Sequence, residues 1–358
     1  MLEKIPTTPW PSKLQKRATD PIGIRLRKSE SPPRVWPWLI GLLVVGLFIL
    51  GVVSTTIWDL FGNLHVATTP NSAQPTVITL DVGRTVPYAN LNFTVLTAQY
   101  AFSFGDDPIH MGPAVVRLNI RVTNKTTTQI AVVYYDVMRL LAPKQSPIAL
   151  TNILSSGLGL NQSACSLSPV SAGPKPDTSE FDCLDFPVVR GTQLKSLSLQ
   201  LGSMATGESF VTMPFSGTFN PNRYADRVIS QSIDITYYYH NFADQAFEFV
   251  YHLTSVTISY AYNGTQCKAG QQFYVLTFHV DNLAGIHVVP GYAYDYVRLI
   301  FSGTVHAPVD STLPNAYNAG ARGVVGQVAF VGPSGTNVIT IGLIPQNGWP
   351  MQTQDVML

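Results

Sequence analysis

The residues best suited to chemistry are four carboxylates close to one cysteine: Asp177, Glu180, Asp182 and Asp185 surround Cys183. Carboxylate oxygens are the ligands that calcium prefers. However, this spacing fits no calcium-binding loop, and acidic loop residues are usually only hydrated. The sequence also lacks H-E-x-x-H, G-x-S-x-G, G-x-x-x-x-G-K-[ST], G-x-G-x-x-G and any C-x-x-C pair. We therefore expect no catalytic residue, no metal site and no cofactor.

Three cysteines, Cys165, Cys183 and Cys267, could instead form a disulfide in an oxidising compartment. Cys165 and Cys183 are the favoured pair because they enclose a short loop, whose closure would contribute about 3 kcal/mol. Cys267 would then be a free thiol or an intermolecular link. A different pairing stays open.

Six tyrosines form a second group of candidate functional residues. Exposed tyrosine rings can stack on sugar rings or anchor a protein partner, and these residues are Tyr237, Tyr238, Tyr239, Tyr292, Tyr294 and Tyr296. The alternative is that they pack inside the fold or between domains. Because neighbouring strand residues point to opposite faces, the consecutive tyrosines must place at least one ring on each face.

Residues 35–58 form an apolar run without any charged residue. A helix of this length would extend roughly 36 Å, enough to cross a hydrocarbon layer of about 30 Å. Trp36, Trp38 and Trp58 lie near its ends, where indole rings favour the headgroup region. We predict an uncleaved transmembrane helix in contact with membrane lipid. A cleaved signal peptide and a buried core helix are the alternatives.

The charge of the flanking segments predicts the orientation. Residues 1–34 contain eight basic and three acidic residues, a net charge of +5, so the rest of the chain carries −4 of the total +1. Basic residues beside a transmembrane helix stay on the cytoplasmic side. We expect a disordered cytoplasmic tail over residues 1–34, a stalk over residues 59–75 and an extracellular C-terminal part at the plasma membrane. The mild negative charge of that part argues against a nucleic-acid partner.

Alternation of apolar and polar residues predicts strands, two of which belong to an internal repeat. Residues 115–122 lead to Asn124, and residues 273–280 lead to Asn282. The hexamers YDVMRL (135–140) and YDYVRL (294–299) follow at similar distances, so the main landmarks are Asn124, Tyr135, Asp136, Asn282, Tyr294 and Asp295. Weaker matches pair Leu96-Thr97 with Leu253-Thr254, Arg190-Gly191 with Arg322-Gly323, and the late strand-like segments 209–215 and 337–343.

This repeat predicts an all-β fold of two tandem immunoglobulin-like antiparallel β-sandwiches after one transmembrane helix. Domain 1 would cover residues 76–217 and domain 2 residues 228–345, with a linker over 218–227 and a polar, irregular tail over 346–358. Helical patterns of 10–15 residues are missing between the strands, which counts against a parallel α/β sheet.

The layout resembles bacterial membrane-anchored surface proteins with immunoglobulin-like ectodomains of unassigned function. The strands ending at Asn124 and Asn282, the two hexamers and the late glycine-turn-strand segments carry this resemblance. Many such proteins have a lipid-modified cysteine near their start, whereas the first cysteine here is Cys165. The anchor would therefore be the helix itself. The resemblance implies no catalytic residues.

We accordingly expect a single-pass surface protein whose duplicated, non-catalytic ectodomain is structural or binds a protein or glycan partner. One alternative is a subunit of a larger cell-envelope assembly or secretion complex, for which open sheet edges and Cys267 would provide contacts. An unrecognised envelope hydrolase is the other alternative.

Overall fold

A computed structural model describes residues 76–104, 113–150, 165, 170–171, 173–241, 243–345 and 349–358. The protein is almost entirely β, with 56% strand and 6% helix, and its sheets are antiparallel. Ala73–Leu358 belong to one compact unit. Among the described residues, no helix has the length and apolar character needed to cross a bilayer. The predicted helix over residues 35–58, its basic tail and the stalk lie outside the described residues.

The N-terminal half of this unit contains two four-stranded sheets, ordered β1-β2-β3-β8 and β10-β9-β5-β6. Strands β4 and β7 form a separate pair. Its described strands are β1 (Ile78–Tyr88), β2 (Leu91–Ala101), β3 (Ala114–Asn124), β4 (Val132–Val133), β5 (Met138–Leu141), β6 (Ile148–Ala149), β7 (Val170–Ser171), β8 (Ser179–Val188), β9 (Ser198–Leu201) and β10 (Val211–Pro214). A one-turn helix, Tyr134–Val137, precedes β5, and a 3-10 helix, Leu194–Ser196, precedes β9.

The C-terminal half repeats this arrangement with sheets ordered β11-β12-β15-β19-β18 and β17-β16-β20-β21, beside the hairpin β13-β14. Its strands are β11 (Arg227–His240), β12 (Ala246–Ser259), β13 (Ala261–Tyr262), β14 (Thr265–Gln266), β15 (Gln271–Asn282), β16 (Val297–Phe301), β17 (Thr304–His306), β18 (Asp310–Ser311), β19 (Val324–Pro333), β20 (Val338–Leu343) and β21 (Gln352–Met357). A one-turn helix, Ala293–Tyr296, precedes β16, and a 3-10 helix, Pro221–Tyr224, lies between the halves.

Each half has its own core, to which both of its sheets contribute. In the N-terminal half, Leu118 and Phe186 of one sheet join Leu140 and Leu199 of the other in a single buried cluster. In the C-terminal half, the second cluster combines residues such as Phe278, Phe330, Leu299 and Ile341. The predicted alternation is confirmed, since Val116, Leu118, Ile120 and Val122 are buried, as are Tyr274, Leu276, Phe278 and Val280. Both halves are therefore sandwich-like pairs of sheets.

The early repeat landmarks occupy equivalent places in the two halves. Asn124 ends β3 and Asn282 ends β15, and each hexamer spans most of a one-turn helix and the first three residues of the strand that follows. One early match shifts by a single residue. The register breaks between Val95 and Thr97 in β2 and between Leu253 and Ser255 in β12, which makes Leu96 equivalent to Thr254.

The late matches were wrong by one strand. Strand β8 pairs with β3 as β19 pairs with β15, so β19 is the counterpart of β8, and β20 is the counterpart of β9. Arg190-Gly191 follows β8, whereas Arg322-Gly323 precedes β19. A glycine turn followed by a strand occurs at many hairpins, so this pattern did not identify the correct partners.

The expected irregular tail over residues 346–358 is also corrected. Gln352–Met357 form β21, which pairs along its whole length with β20. Val356 is the fully buried member of this strand. Backbone pairing rather than apolar composition defines such an edge strand, and for that reason its polar sequence gave little signal.

Candidate functional site

The predicted disulfide is present. Cys165 and Cys183 are bonded, and Cys267 is free and buried in the C-terminal half. Burial raises the pKa of the Cys267 thiol to about 12. Because the thiolate is the reactive form, the native thiol is poorly suited to linking chains.

The carboxylates around Cys183 make separate contacts within the N-terminal half. Asp185 accepts two hydrogen bonds of 2.9 Å from the Arg117 guanidinium, and both side chains are nearly buried. The Tyr134 hydroxyl donates to Asp182 at 2.6 Å. Within the described ranges, no three His, Cys, Asp or Glu side chains come together in a way that could hold a metal ion.

Three of the six candidate tyrosines are core residues, which corrects their assignment as binding aromatics. Tyr237, Tyr239 and Tyr296 are buried, and the rings of Tyr237 and Tyr296 stack at a centroid distance of 5.4 Å. Tyr237 and Tyr239 point into the sandwich because they lie two residues apart on β11. Burial raises the pKa of Tyr237 and Tyr296 above the usual tyrosine value.

The other three tyrosines are exposed but lie in different surroundings. Tyr238 lines an apolar cleft of about 330 Å³ together with Trp349, whose indole stacks on the His240 ring at 4.4 Å. The Tyr294 hydroxyl donates to Asp310 at 3.3 Å. Tyr292 is the most exposed of the six, at 61%. The structure therefore does not bring the predicted tyrosines together into one site.

A larger candidate site lies where the two halves meet, and the hairpin β13-β14 forms part of it. Asn263 and Gly264 form its two-residue turn, with φ angles of 47° and 78°. Positive φ at both positions is typical of a type I′ turn, for which Asn-Gly is the preferred sequence. A Cβ at Gly264 would lie 3.0 Å from Ile130 of the N-terminal half, so the hairpin packs closely against its neighbour.

Hydrogen bonds then join this hairpin to the β1–β2 turn. The Gly264 amide donates to Asn90 Oδ1 at 3.0 Å, and Asn90 Nδ2 donates to the Ala261 carbonyl at 3.2 Å. The Ala89 amide donates to Gln266 Oε1 at 3.1 Å, and Gln266 Nε2 donates to the Ser209 carbonyl at 3.3 Å. Because the two partners of each bond lie in different halves, these contacts fix the position of one half relative to the other.

A second set of contacts extends the junction along the loop before β10. The Ser209 amide donates to the Cys267 carbonyl at 2.8 Å, and the Ala269 amide donates to the Gly207 carbonyl at 2.9 Å. In the same loop, Glu208 accepts a 2.6 Å hydrogen bond from the Tyr88 hydroxyl. Burial, and then this bond, raises the pKa of Tyr88 above the usual tyrosine value, which keeps the hydroxyl protonated as a donor.

Between these contacts and the linker lies an open cleft of about 520 Å³, called the junction cleft below. The N-terminal half contributes Asn92 and Lys125 among other residues, and the C-terminal half contributes Tyr260. The linker supplies the remaining wall through Asn222, Tyr224 and Asp226. Its 3-10 helix is fixed at the start by Asn220, whose side chain accepts from the Asn222 amide, and by Pro221.

Several polar groups of the junction cleft are available to a ligand. Among the residues that the structure describes, the side chains of Asn92, Asn222, Lys125 and Asp226 have no hydrogen-bond or ion-pair partner. The ring of Tyr224 in the linker meets the ring of Tyr260, the residue between β12 and β13, edge to face at 6.4 Å. The cleft therefore combines free amides, one charge of each sign and aromatic surface.

The sequence interpretation did not identify this site. The Asn263-Gly264 dipeptide between strand-like residues was a readable hairpin signal. The residues that surround the hairpin could not be predicted from the sequence. They range from Thr85 to Gln266 and are brought together only by the fold of both halves.

No protein-family model matches the chain, and no curated protein matches it. Among solved structures, the chain is similar to a functionally unknown protein from Listeria monocytogenes EGD-e, with 12% identity and a TM-score of 0.28. The similarity covers 39% of this chain and 87% of that protein. We infer no function from it.

Proposed function

We propose that the protein is a single-pass, membrane-anchored surface protein whose two immunoglobulin-like sandwiches form one non-catalytic binding unit outside the cell. The ligand binds in the junction cleft. The observation that carries this proposal is the fixed junction, where paired hydrogen bonds between Asn90, Gln266 and their backbone partners surround a cleft with unengaged polar side chains. A preformed site avoids the entropy cost of ordering its walls when the ligand binds.

The order of the strands supports the immunoglobulin-like part of the proposal. Without the first strand, the C-terminal half has the order β12-β15-β19-β18 on one sheet and β21-β20-β16-β17 on the other. Immunoglobulin-like sandwiches place strands A, B, E and D on one sheet and G, F, C and C′ on the other, which is the same sequence of neighbours. The described residues of the N-terminal half have this order without a counterpart of β18.

The composition of residues 1–58 and the disulfide support the extracellular placement. Disulfides persist mainly in oxidising compartments, and Cys165 is bonded to Cys183. An uncharged run over residues 35–58 behind a basic segment is typical of a helix that leaves its N-terminus inside.

The topology is tested with single cysteines in the full chain expressed in cells. A membrane-impermeant maleimide should label Asp226→Cys in intact cells, and it should label Lys13→Cys only after permeabilisation. The buried Cys267 keeps the background low. Labelling of Lys13→Cys alone in intact cells would contradict the proposed orientation.

The binding role is tested with the full chain in detergent. Thermal unfolding is recorded against a panel of disaccharides, amino acids, dipeptides, carboxylic acids and inorganic phosphate at millimolar concentration. At least one compound class should raise the melting temperature of the wild type and of the control Asn337→Trp, an exposed position outside the cleft. The same compounds should leave Asn92→Trp unchanged, because the indole fills the cleft. A panel without any such shift would contradict the binding role.

A second candidate function, a subunit of a larger envelope assembly, is favoured by one apolar loop. Ile286, Val289 and Tyr292 lie within seven residues of each other and are all more than half exposed. Exposed apolar side chains grouped in this way are typical of protein-binding surfaces. Substituting Ile286→Asp and Val289→Asp should then abolish a crosslink to a stoichiometric partner in cells. A crosslink that persists in this variant would argue against the loop as the contact.

A further inference from the structure

We infer that the junction cleft recognises a neutral saccharide. This inference rests on the proposed binding role of the cleft and specifies the chemical class of its ligand. Four observations define that class: the charge of the cleft, its free amides, its aromatic surface and its size.

The charge of the junction cleft excludes a strongly charged ligand. Lys125 and Asp226 are its charged lining residues, and their charges cancel. Both side chains are exposed, so each charge is well solvated and attracts an ion only weakly. A phosphate or a polyanion would need several basic groups in a drier site. A neutral ligand fits this balance best.

The free amides match a ligand that is rich in hydroxyl groups. A side-chain amide presents a donor and an acceptor next to each other, and a sugar hydroxyl is likewise both donor and acceptor. Asn92 lies in the N-terminal half and Asn222 lies in the linker. Neither side-chain amide has a partner among the described residues. By contrast, the amides of Asn90 and Gln266 are already used to hold the junction. The cleft thus separates structural amides from amides that are available for binding.

The aromatic surface supplies the second feature that sugars require. A pyranose ring has polar edges and apolar C–H faces, which stack on aromatic rings. Tyr224 and Tyr260 both line the cleft and are only partly buried. The Tyr224 hydroxyl accepts from the Thr212 amide at 3.3 Å, which fixes that ring in place. Tyr260 has no such bond within the described part of the chain, so its hydroxyl can contact the ligand.

The size of the cleft is consistent with a short oligosaccharide. Its volume of about 520 Å³ falls within the range of roughly 300–1,000 Å³ that is typical of small-molecule sites. A free amino acid would leave most of this space filled with water.

The experiment uses the full chain in detergent with cellobiose, maltose, mannobiose and diacetylchitobiose as separate probes, and with dialanine and inorganic phosphate as comparisons. Saturation-transfer NMR detects contact with each probe, and titration gives its dissociation constant. At least one disaccharide should bind. Tyr260→Ala and Asn222→Ala should each weaken that binding by about tenfold, the loss expected for one stacking or hydrogen-bonding contact.

Controls distinguish the cleft from other surfaces. Tyr238→Ala removes an exposed tyrosine far along β11 and should leave the affinity unchanged, as should Asn337→Ala. Each variant is first shown to unfold at the wild-type temperature within a few degrees, which separates lost binding from lost folding.

The outcomes separate this inference from the proposed function. If dialanine or phosphate binds in an Asn222-dependent way and no disaccharide does, the cleft binds a ligand of another class and the saccharide inference is wrong. If a disaccharide binds equally well to the Tyr260→Ala and Asn222→Ala variants, the inference is also wrong, because the sugar binds elsewhere. If no probe binds and the wider panel also gives no shift, both the inference and the binding role fail.

Discussion

Asn124 and Asn282 occupy the same position in the two halves and make the same hydrogen bonds. Each Nδ2 donates to the carbonyl four residues later, Thr128 at 2.7 Å and Ile286 at 3.1 Å. Each also donates to a distant carbonyl that precedes the strand next in the sheet, Pro174 at 2.9 Å and Asn318 at 2.8 Å. A fully buried asparagine thus holds the loop after β3 or β15 against the incoming chain.

Replacing either asparagine should destabilise its half. Asn124→Ala and Asn282→Ala each remove the side-chain donor to two carbonyls in the buried or partly buried region around the asparagine, although the Thr128 carbonyl keeps the Thr126 hydroxyl as a donor. One unsatisfied buried group costs about 1–3 kcal/mol. We expect a loss of roughly 2–4 kcal/mol in the free energy of unfolding, measured by urea denaturation. Asn337→Ala, at an exposed loop position just before β20, should change it by less than about 0.5 kcal/mol. Equal effects of all three variants would contradict this role.

Local hydrogen bonding also explains why the repeat was visible in the sequence. Arg139 Nη1 donates to the carbonyls of Tyr135 and Met138, and Arg298 Nη1 donates to those of Tyr294 and Val297. In each half the arginine therefore bonds back to the one-turn helix before it, at the residue four positions earlier in the chain. Such a contact requires a fixed spacing between the tyrosine and the arginine. Both hexamers have that spacing, which made the repeat visible in the sequence.

Contacts that depend on distant residues could not be predicted. Strand partners such as β8 and β19 are determined by pairing across the sheet, and the junction cleft depends on how two finished sandwiches meet. Of the six candidate tyrosines, alternation along β11 was sufficient to separate Tyr238 from Tyr237 and Tyr239. It could not determine which face would be covered.

The disulfide should stabilise the N-terminal half by closing the segment between Cys165 and Cys183. Reduction should lower the free energy of unfolding by about 3 kcal/mol, the value expected for a loop of this length. The double variant Cys165→Ala/Cys183→Ala should show a similar loss and no further response to reductant. An unchanged unfolding midpoint after verified reduction would be inconsistent with this contribution.

Thiol counting checks the same assignment independently. The native protein should react with maleimide very slowly, because Cys267 is buried and burial raises its pKa to about 12. Unfolding without reductant should expose one thiol per chain, and added reductant should release the two thiols of the bonded pair. Rapid labelling of the native chain at neutral pH would contradict the buried position of Cys267.

Gln266 should couple the two halves. Its amide bridges the Ala89 amide and the Ser209 carbonyl, and its side chain is buried. Gln266→Ala leaves both backbone groups without this partner, so we expect a loss of about 2–4 kcal/mol. Amide hydrogen exchange should accelerate at Ala89 in particular. Thr265→Ala, an exposed neighbour on the same hairpin, should alter neither quantity appreciably.

His252 should make the stability of the C-terminal half depend on pH. Its Nδ1 lies 2.6 Å from Asp234, its Nε2 lies 3.6 Å from Asp281, and Arg322 contacts Asp281 from the other side at 3.0 Å. The hydrogen bond with Asp234 is the main cause that raises the pKa of His252 above about 6.5. Since the folded state holds the proton more tightly than the unfolded state, the stabilisation is complete below pH 6.5. It is lost as the pH rises through the higher pKa of the folded protein.

The contribution should remain below about 1 kcal/mol, because His252 and Asp234 are both substantially exposed to solvent. Free energies of unfolding measured between pH 5 and pH 9 should fall with rising pH in the wild type. The fall should be smaller in His252→Gln and in Asp234→Asn. His279 lies on β15 directly across from His252, and His279 has no carboxylate partner among the described residues. The variant His279→Gln should therefore retain most of the wild-type slope. A wild-type slope in Asp234→Asn would show that another group causes the pH dependence.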